Sequence, residues 1–139
     1  MNAEEIIRFI EQSFPQGRSF SQIEELAEDS LRLRLPFSDS YLRPGGTISG
    51  PTLMALADTG AYFLILSMIG PVALAVTTSL NINFMRRPAP EDMIAKAKML
   101  KLGRQLAVVE VYIEAASSGE LVAQASVTYS IPPRAEPQG

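Results

Sequence analysis

One acidic residue, Asp58, lies in the middle of an otherwise uncharged, apolar stretch from Pro51 to Met68. If this stretch is helical, no side chain one turn before or after Asp58 is basic. An ionised carboxylate in apolar surroundings is costly, so Asp58 either gains a partner from elsewhere or stays protonated. Either outcome makes it a candidate site. The alternative is that Asp58 emerges at the edge of a groove and remains solvated.

The chain contains no histidine and no cysteine. This excludes cysteine nucleophiles, disulfides, zinc sites built from these residues, serine-histidine-aspartate triads and a histidine general base. Any catalysis must therefore use carboxylates, hydroxyls, backbone amides or basic side chains.

The composition predicts a single globular domain, because 139 residues that are 47% apolar can form one core. A net charge of −3 without a basic run argues against nucleic acid as a partner. The first residues lack the pattern of a signal peptide, so we expect a cytoplasmic protein. The stretch around Asp58 is near the lower length limit of a membrane span and holds a charge at its middle. We therefore expect a core helix and no membrane partner.

The first part of the chain predicts one helix, two strands and a long loop. Apolar residues at helical spacing predict an amphipathic helix over Ala3–Phe14, which Pro15–Gly17 stops. A weak strand over Ser21–Glu28 and a cleanly alternating strand over Ser30–Leu35 follow. The segment Phe37–Gly50 is rich in Ser, Gly and Pro, and a loop of this length is more often functional than idle.

The central helix is expected over about residues 51–68, with Gly50 at its N-cap and Pro51 as its first residue. Four alternating runs follow it, over Leu74–Met85, Met93–Leu102, Ala107–Ala115 and Leu121–Ile131. They predict an antiparallel sheet in which short connections make consecutive strands neighbours. No other element can cover so apolar a helix, so the sheet must wrap it, which is the α+β hotdog architecture. The proline-rich tail, residues 132–139, is expected to be disordered.

Four segments of the sequence resemble, in order and spacing, the phenylacetic-acid-type (PaaI-like) acyl-CoA thioesterases of the hotdog fold. They read GGTISGPTLMALAD, TSLNINFMRRP, KLGRQLAVVEV and GELVAQASVTY, and the resemblance extends from about Ser21 to Ile131. In that family the helix opens with His-Gly-Gly, and an acidic residue follows eight positions after the first glycine. Gly50 and Asp58 have that spacing. The resemblance implies that the Gly50 amide is the oxyanion donor and that Asp58 is the general base or the nucleophile.

The spacing of Gly50 and Asp58 adds a physical constraint. A backbone N–H at a helix N-terminus lacks an intrahelical partner and lies at the positive end of the helix dipole, which suits an oxyanion. Eight residues of helix separate the two positions by about 12 Å, too far for both to contact one carbonyl group. If both act, the Gly50 of one chain must face the Asp58 of another across a two-fold axis. We therefore expect a homodimer, which assembles further to a homotetramer.

Three positions depart from the family pattern. Ser49 replaces the histidine, Pro51 replaces the second glycine, and Arg43 stands where many members carry Asn or Gln. Ser49 can orient the loop or donate to the substrate, or it can simply cap the helix. Arg43 can bind a substrate carboxylate, pair with Asp58, or remain solvated. We assign Arg43, Gly46 and Pro51 to substrate binding, and Ser49 to the catalytic group.

Further candidates lie on the predicted strands. Thr77 occupies a position where relatives carry Ser or Thr near the catalytic acid, and its hydroxyl can position the water that Asp58 activates. Its alternative role is that of an ordinary exposed strand residue. Four basic residues are expected to cluster at strand ends and to meet the phosphates of coenzyme A, or else to be solvated: Arg86, Arg87, Arg104 and Lys101.

The leading hypothesis is hydrolysis of an acyl-CoA thioester. The acyl group would be buried against Tyr62 and Phe63, the Gly50 amide would polarise the carbonyl, and Asp58 would attack directly or deprotonate water. No metal or cofactor is expected, because coenzyme A is part of the substrate. The alternative is a non-catalytic hotdog protein that binds acyl-CoA or another acyl ligand.

Overall fold

A computed structural model describes residues 1–14 and 21–133. Within these ranges the elements, in chain order, are α1 (Ala3–Ser13), β1 (Gln22–Leu26), β2 (Ser30–Leu35), a 3-10 turn (Asp39–Tyr41), β3 (Leu42–Arg43), β4 (Thr47–Ile48), α2 (Gly50–Ile69), β5 (Val76–Phe84), β6 (Met93–Leu102), β7 (Leu106–Ala115) and β8 (Leu121–Ser130). The predicted helix stop at Pro15–Gly17 lies outside the described residues, as does the predicted disordered tail from residue 134 onwards.

One antiparallel sheet of six strands, in the order β1-β2-β6-β7-β8-β5, forms the main layer of the fold. The predicted alternation holds on β6 and β7, where the apolar side chains face the core and Lys96 and Lys98 face outward. The segment predicted as a single long loop instead contains the 3-10 turn and the β3–β4 ribbon.

The position of β5 corrects the sequence prediction. Consecutive strands were expected to be neighbours, yet β5 pairs with β8 while β6 pairs with β2 and β7. The segment 85–92 that joins β5 to β6 contains Pro88 and Pro90, which lack the N–H groups that a tight hairpin uses. It therefore crosses from one side of the sheet to the other, and β5 becomes an edge strand.

The helix α2 packs against the concave face of the sheet, as the hotdog prediction requires. Its buried side chains contact β2, β6, β7, β8 and β5; they are Leu53, Leu56, Ala57, Gly60, Ala61, Phe63, Leu64, Ile65 and Leu66. By length and mean hydropathy, 1.6, the helix also meets the criteria for a membrane span. Core helices meet the same criteria, and the packing of α2 is that of a core helix.

The sheet of one chain does not wrap α2 completely. The side chains of Pro51, Met54 and Ala55 on α2 are exposed, and those of Asp58 and Tyr62 on the same side are half-buried. Part of the uncovered surface near the C-terminal half of α2 is closed by α1, whose Ile6 and Ile10 are buried in the core. A stripe at the N-terminal half of α2 thus remains open.

The edge strand β5 is the most exposed strand of the sheet. Its sequence was predicted to bury one face, but only Leu80 and Ile82 are half-buried, whereas Val76 is 56% and Phe84 is 51% exposed. The strand carries no charged side chain. The prediction of a buried apolar face therefore fails for Phe84, whose ring lies against Gly50 at the start of α2 and is otherwise exposed.

Candidate functional site

Asp58 lies near the middle of α2 and obtains its partners from two different strands. The Thr77 hydroxyl on β5 donates to Oδ1 of Asp58 at 2.6 Å, and the Tyr129 hydroxyl on β8 donates to the same oxygen at 2.8 Å. The Tyr129 oxygen also lies 3.3 Å from the backbone carbonyl oxygen of Asp58. Thus the carboxylate takes its partners from elsewhere in the fold, and they are neutral hydroxyls rather than a cation.

The second oxygen of the carboxylate, Oδ2, has a different environment. Among the described residues no donor hydrogen-bonds to Oδ2, and Asp58 lines a cavity of about 540 Å³. A carboxylate oxygen can accept more than one hydrogen bond. One oxygen of Asp58 is therefore held by the protein, and the other retains its full capacity to accept a proton or to attack a carbonyl carbon.

The cavity beside Asp58 is lined mainly by apolar and aromatic side chains. Its lining consists of Ile10, Phe14, Ser21, Leu35, Tyr41, Pro51, Thr52, Ala55, Leu56, Asp58, Thr59, Tyr62, Phe63 and Tyr129. Asp58 is the one side chain of the Asp, Glu, Lys or Arg type among these described lining residues. An apolar pocket with a few convergent polar groups is typical of a small-molecule site.

Tyr129 lies on the buried face of β8, and the sequence did not identify it as a site residue. Burial is the main reason why the pKa of Tyr129 is raised, and the charge of Asp58 adds to the shift, so the hydroxyl remains a neutral donor. The ring stacks on Tyr62, with centroids 5.6 Å apart. A tyrosine among otherwise aliphatic core positions of a strand was the available signal, since its buried hydroxyl needs a partner.

The N-terminus of α2 differs by one residue from the sequence prediction. Ser49, not Gly50, is the N-cap, and its Oγ accepts from the Thr52 amide at 3.3 Å and lies 2.7 Å from the Thr52 hydroxyl. The register shifts because a serine side chain can satisfy an orphan helix amide and glycine cannot. The capping role proposed for Ser49 is therefore the one observed, and Pro51 follows Gly50 within the first turn.

The amide of Gly50 remains available for a ligand. Gly50 is the first helical residue, and its N–H has no hydrogen-bond partner among the described residues. A Cβ at this position would lie 3.4 Å from the ring of Phe84, so the end of β5 flanks this amide. The free donor at the positive end of the dipole can stabilise an oxyanion. Within one chain, however, about 12 Å of helix separates it from Asp58.

The loop that precedes α2 brings two arginines together. Arg43 and Arg87 line one small concavity of about 150 Å³ with Pro44, Gly45 and Thr47. The Ile48 amide, which donates to the Pro88 carbonyl at 3.4 Å, ties this loop to the segment after β5. Within the described part of the chain neither arginine has an ion-pair partner. The proposed Arg43–Asp58 pair is therefore absent from the single chain.

Gly46 has a structural role in the same loop. Its amide donates to the Arg43 carbonyl at 3.1 Å, and its φ of 78° lies in the left-handed region that glycine adopts without strain. Gly46 thereby closes the turn between β3 and β4. It shapes the loop that carries Arg43 and does not line the cavity beside Asp58.

The predicted cluster of four basic residues is not found. Arg86 and Arg87 follow β5, whereas Lys101 and Arg104 lie at the β6–β7 turn. The strand register places these two pairs at opposite ends of the sheet, about 30 Å apart for strands of ten residues. Arg86 also forms an ion pair with Glu120 at 3.1 Å. The antiparallel order of the strands, which the residue types do not reveal, separates them.

Comparison with known proteins gives a consistent result. A solved structure from Silicibacter sp. TM1040, of a protein named as a thioesterase, is 40% identical, with a TM-score of 0.87 over 96% of this chain and 93% of that chain. The zebrafish thioesterase superfamily member 2 shares the fold at 21% identity, with a TM-score of 0.82 over 95% of this chain and 99% of that one.

Another structure, of a phenylacetic acid degradation-related protein from Ralstonia eutropha JMP134, shares the fold at 22% identity, with a TM-score of 0.77 over 88% of this chain and 98% of that one. A protein of Thermoplasma acidophilum named as an esterase is 24% identical over 79% of this chain and 82% of its own length. The profile of the Thioesterase superfamily matches residues 45–122, which include Gly50, Asp58 and Thr77. The chain belongs to the Thioesterase superfamily.

Proposed function

We propose that the protein hydrolyses an acyl-CoA thioester at a site completed by two copies of the chain. Asp58 of one copy acts as general base or nucleophile, and the Gly50 amide of the other stabilises the oxyanion. The observation that carries the proposal is the Asp58 carboxylate, which lies in the wall of an apolar cavity with one oxygen fixed by two hydroxyls and the other open. Membership of the Thioesterase superfamily supports thioester hydrolysis.

The chemistry can follow either of two routes. As a general base, Asp58 removes a proton from water, and the hydroxide adds to the carbonyl carbon. The tetrahedral intermediate then expels the thiolate of coenzyme A, which recovers the proton. As a nucleophile, Asp58 forms a mixed anhydride while the C–S bond breaks, and water then hydrolyses the anhydride. In both routes negative charge develops on the carbonyl oxygen, where a free helix-terminal amide is effective.

The geometry of β5 supports a site shared between two chains. Thr77, near the start of β5, contacts Asp58, and Phe84, at the end of β5, lies against Gly50. If two β5 strands pair antiparallel about a two-fold axis, the Thr77 end of one strand lies beside the Phe84 end of the other. Such pairing brings Asp58 of one chain toward Gly50 of its partner. It would also cover the exposed stripe of α2, and two dimers can associate further into a tetramer.

The acyl group and the phosphates of coenzyme A would occupy different parts of the molecule. Tyr62, Phe63 and Pro51 line the apolar cavity and suit the acyl group. Arg43 and Arg87, which share a concavity and lack ion-pair partners among the described residues, suit a phosphate. We assign no metal or cofactor to this reaction.

The proposal is tested with a panel of aryl and alkyl acyl-CoAs and the variant Asp58→Asn. We expect hydrolysis by the wild type and a loss of about 10²- to 10⁴-fold in kcat/KM for the variant. Asp39→Asn, an exposed residue outside the cavity, is the matched control and should retain activity. Turnover by Asp58→Asn equal to wild type would refute the role of Asp58. Tight binding of acyl-CoA by the wild type without turnover would establish the non-catalytic binding protein instead.

A further inference from the structure

The Tyr129 ring is held in place by burial and by stacking against a second tyrosine. Its side chain is only 4% exposed, and its ring is nearly parallel to that of Tyr62, with an angle of 10° between the planes. Tyr62 in turn donates its hydroxyl to the Val72 carbonyl at 3.0 Å, and Phe14 meets the Tyr62 ring edge to face. The two stacked tyrosines therefore join β8 to the turn of α2 that follows Asp58.

The Tyr129 hydroxyl and the Thr77 hydroxyl converge on a single oxygen of Asp58. Both donate to Oδ1, at 2.8 Å and 2.6 Å respectively, while Oδ2 has no donor among the described residues. Rotation of the carboxylate by half a turn would exchange its two oxygens, and tilting it would break both charge-assisted hydrogen bonds. The two donors belong to different strands, so the plane of the carboxylate is fixed from two directions.

The Tyr129 hydroxyl also stays protonated, so it remains a hydrogen-bond donor. Burial raises its pKa above the ordinary value of a phenol, so it keeps its proton at pH 7. Besides Asp58 and Tyr129, the described lining residues include two further phenols, Tyr41 and Tyr62, and burial raises the pKa of Tyr62. Donation from the Tyr129 hydroxyl to Oδ1 of Asp58 therefore does not depend on the ionisation of another side chain in the cavity.

We propose that Tyr129 is a positioning residue, which fixes Oδ1 of Asp58 so that Oδ2 is the oxygen that reacts with water or with the thioester carbonyl. This inference rests on the proposed function and holds for both routes of hydrolysis. As a base, Oδ2 takes the proton of water and later returns it to the sulfur of coenzyme A. As a nucleophile, Oδ2 forms the bond to the acyl carbon while the electron pair of the C–S bond leaves with sulfur.

The test is the variant Tyr129→Phe, which keeps the ring and its stacking but removes the hydroxyl. We expect kcat to fall about 10- to 100-fold, the size of one lost hydrogen bond to a charged group, with KM within about threefold of wild type. A fall in kcat at nearly constant KM is the expected signature, because the hydroxyl orients the reacting carboxylate and does not line the binding surface for the leaving group. Tyr112→Phe, on the exposed outer face of β7, is the matched control and should change neither parameter.

Asp58→Asn is measured in parallel to separate the two claims. If Asp58→Asn is inactive and Tyr129→Phe matches wild type in kcat, the positioning role is wrong while the role of Asp58 stands. If Asp58→Asn keeps full activity, or if the wild type hydrolyses no thioester, both are overturned. A Tyr129→Phe variant with lower thermal stability, whose kcat per folded molecule equals that of wild type, would show a purely structural role. Thr77→Val, which removes the other donor from an exposed strand, should reproduce the fall in kcat at nearly constant KM in a variant whose core is untouched.

Discussion

The two edges of the sheet differ in the features that control strand pairing. The β1 edge is five residues long, has an irregular register between Ile23 and Glu25, and carries Glu24, which bridges Arg32 and Arg34. The β5 edge is nine residues long and uncharged. Short, charged and bulged edges resist the addition of a further strand, whereas long uncharged edges invite it. The β1 edge therefore resists the addition of another strand, and we call it the closed edge. The β5 edge allows such pairing, and we call it the open edge.

The open edge is also the edge that carries the candidate site. Thr77 of β5 contacts Asp58, and Phe84 of β5 flanks the free Gly50 amide. The charged side chains at the β1 edge stabilise the fold instead. Arg34, on the neighbouring strand β2, contacts both Glu24 of β1 and Asp92, and Asp92 accepts from the Phe37 amide at 2.7 Å. If chain pairing and catalysis use the same strand, as proposed, a change that blocks pairing should also block hydrolysis.

A positive charge on the open edge should have the largest effect. In Asn81→Lys, the introduced cations of two paired strands repel each other, so we expect monomers in analytical ultracentrifugation. Each monomer lacks the oxyanion donor of its partner, and kcat/KM should fall by at least about 10²-fold.

The matched control for this variant is Gln22→Lys on the β1 edge, which also replaces an exposed polar residue by lysine. It should leave both the oligomeric state and activity unchanged. A fully active Asn81→Lys monomer would rule out a site shared between chains, and an unaltered dimer would place the interface elsewhere.

The charged cluster at the closed edge should have a smaller effect, visible in the pH dependence of stability. Hydrogen bonds from Arg34 and then Arg32 lower the pKa of Glu24, and the Phe37 amide followed by Arg34 lowers that of Asp92. Because their pKa values are lower in the folded state than in the unfolded chain, the stability they contribute is present above pH about 4.5 and is lost on acidification.

Glu24→Gln should therefore lower Tm by at most a few degrees at pH 7, and by less at pH 3, as measured by differential scanning calorimetry. The side chains are partly exposed, which keeps the effect small. A difference in Tm that grows on acidification would contradict the assigned sign.

The sequence predicts the elements of this fold better than their order in the sheet. The boundaries of β2 and β6 agree with the structure because polar and apolar side chains alternate without interruption in Ser30–Leu35 and nearly so in Met93–Leu102. The pairing of β5 with β8 is not predictable from alternation, since it depends on how the segment 85–92 crosses the sheet. The same topology separates Arg86 and Arg87 from Lys101 and Arg104, and it places Arg87 beside Arg43 instead.

The sequence identifies a site residue that breaks the local pattern of polar and apolar residues, as Asp58 does. It misses one that fits this pattern, as Tyr129 does. Asp58 is the one charge in an apolar helix, and the structure supplies the partners that such a charge needs. Tyr129 fits the buried face of β8, and its one signal, a hydroxyl among otherwise aliphatic core positions, does not identify the partner until the helix is placed against it. The N-cap is Ser49 and not the predicted Gly50. The residue at which a helix begins depends on side-chain hydrogen bonds, here from the Thr52 amide to Ser49, which the sequence pattern does not resolve.

The central claim, that each site contains Gly50 of one chain and Asp58 of another, can be tested with a purified heterodimer. One chain carries Asp58→Asn and the other Gly50→Pro, which removes the amide donor. Proline suits this position because it is favoured at the first helical residue, and Ser49 before it is already extended, with ψ of 148°. Gly50→Ala keeps the amide, and its Cβ would contact the Phe84 ring at 3.4 Å, so this variant is the control and should stay active.

Each parent homodimer should be nearly inactive, because both of its sites lack one of the two groups. In the heterodimer one site combines the intact Gly50 with the intact Asp58, and the account predicts about half of the wild-type kcat per dimer. A heterodimer as inactive as its parents, while the Gly50→Ala homodimer remains active, would contradict the account.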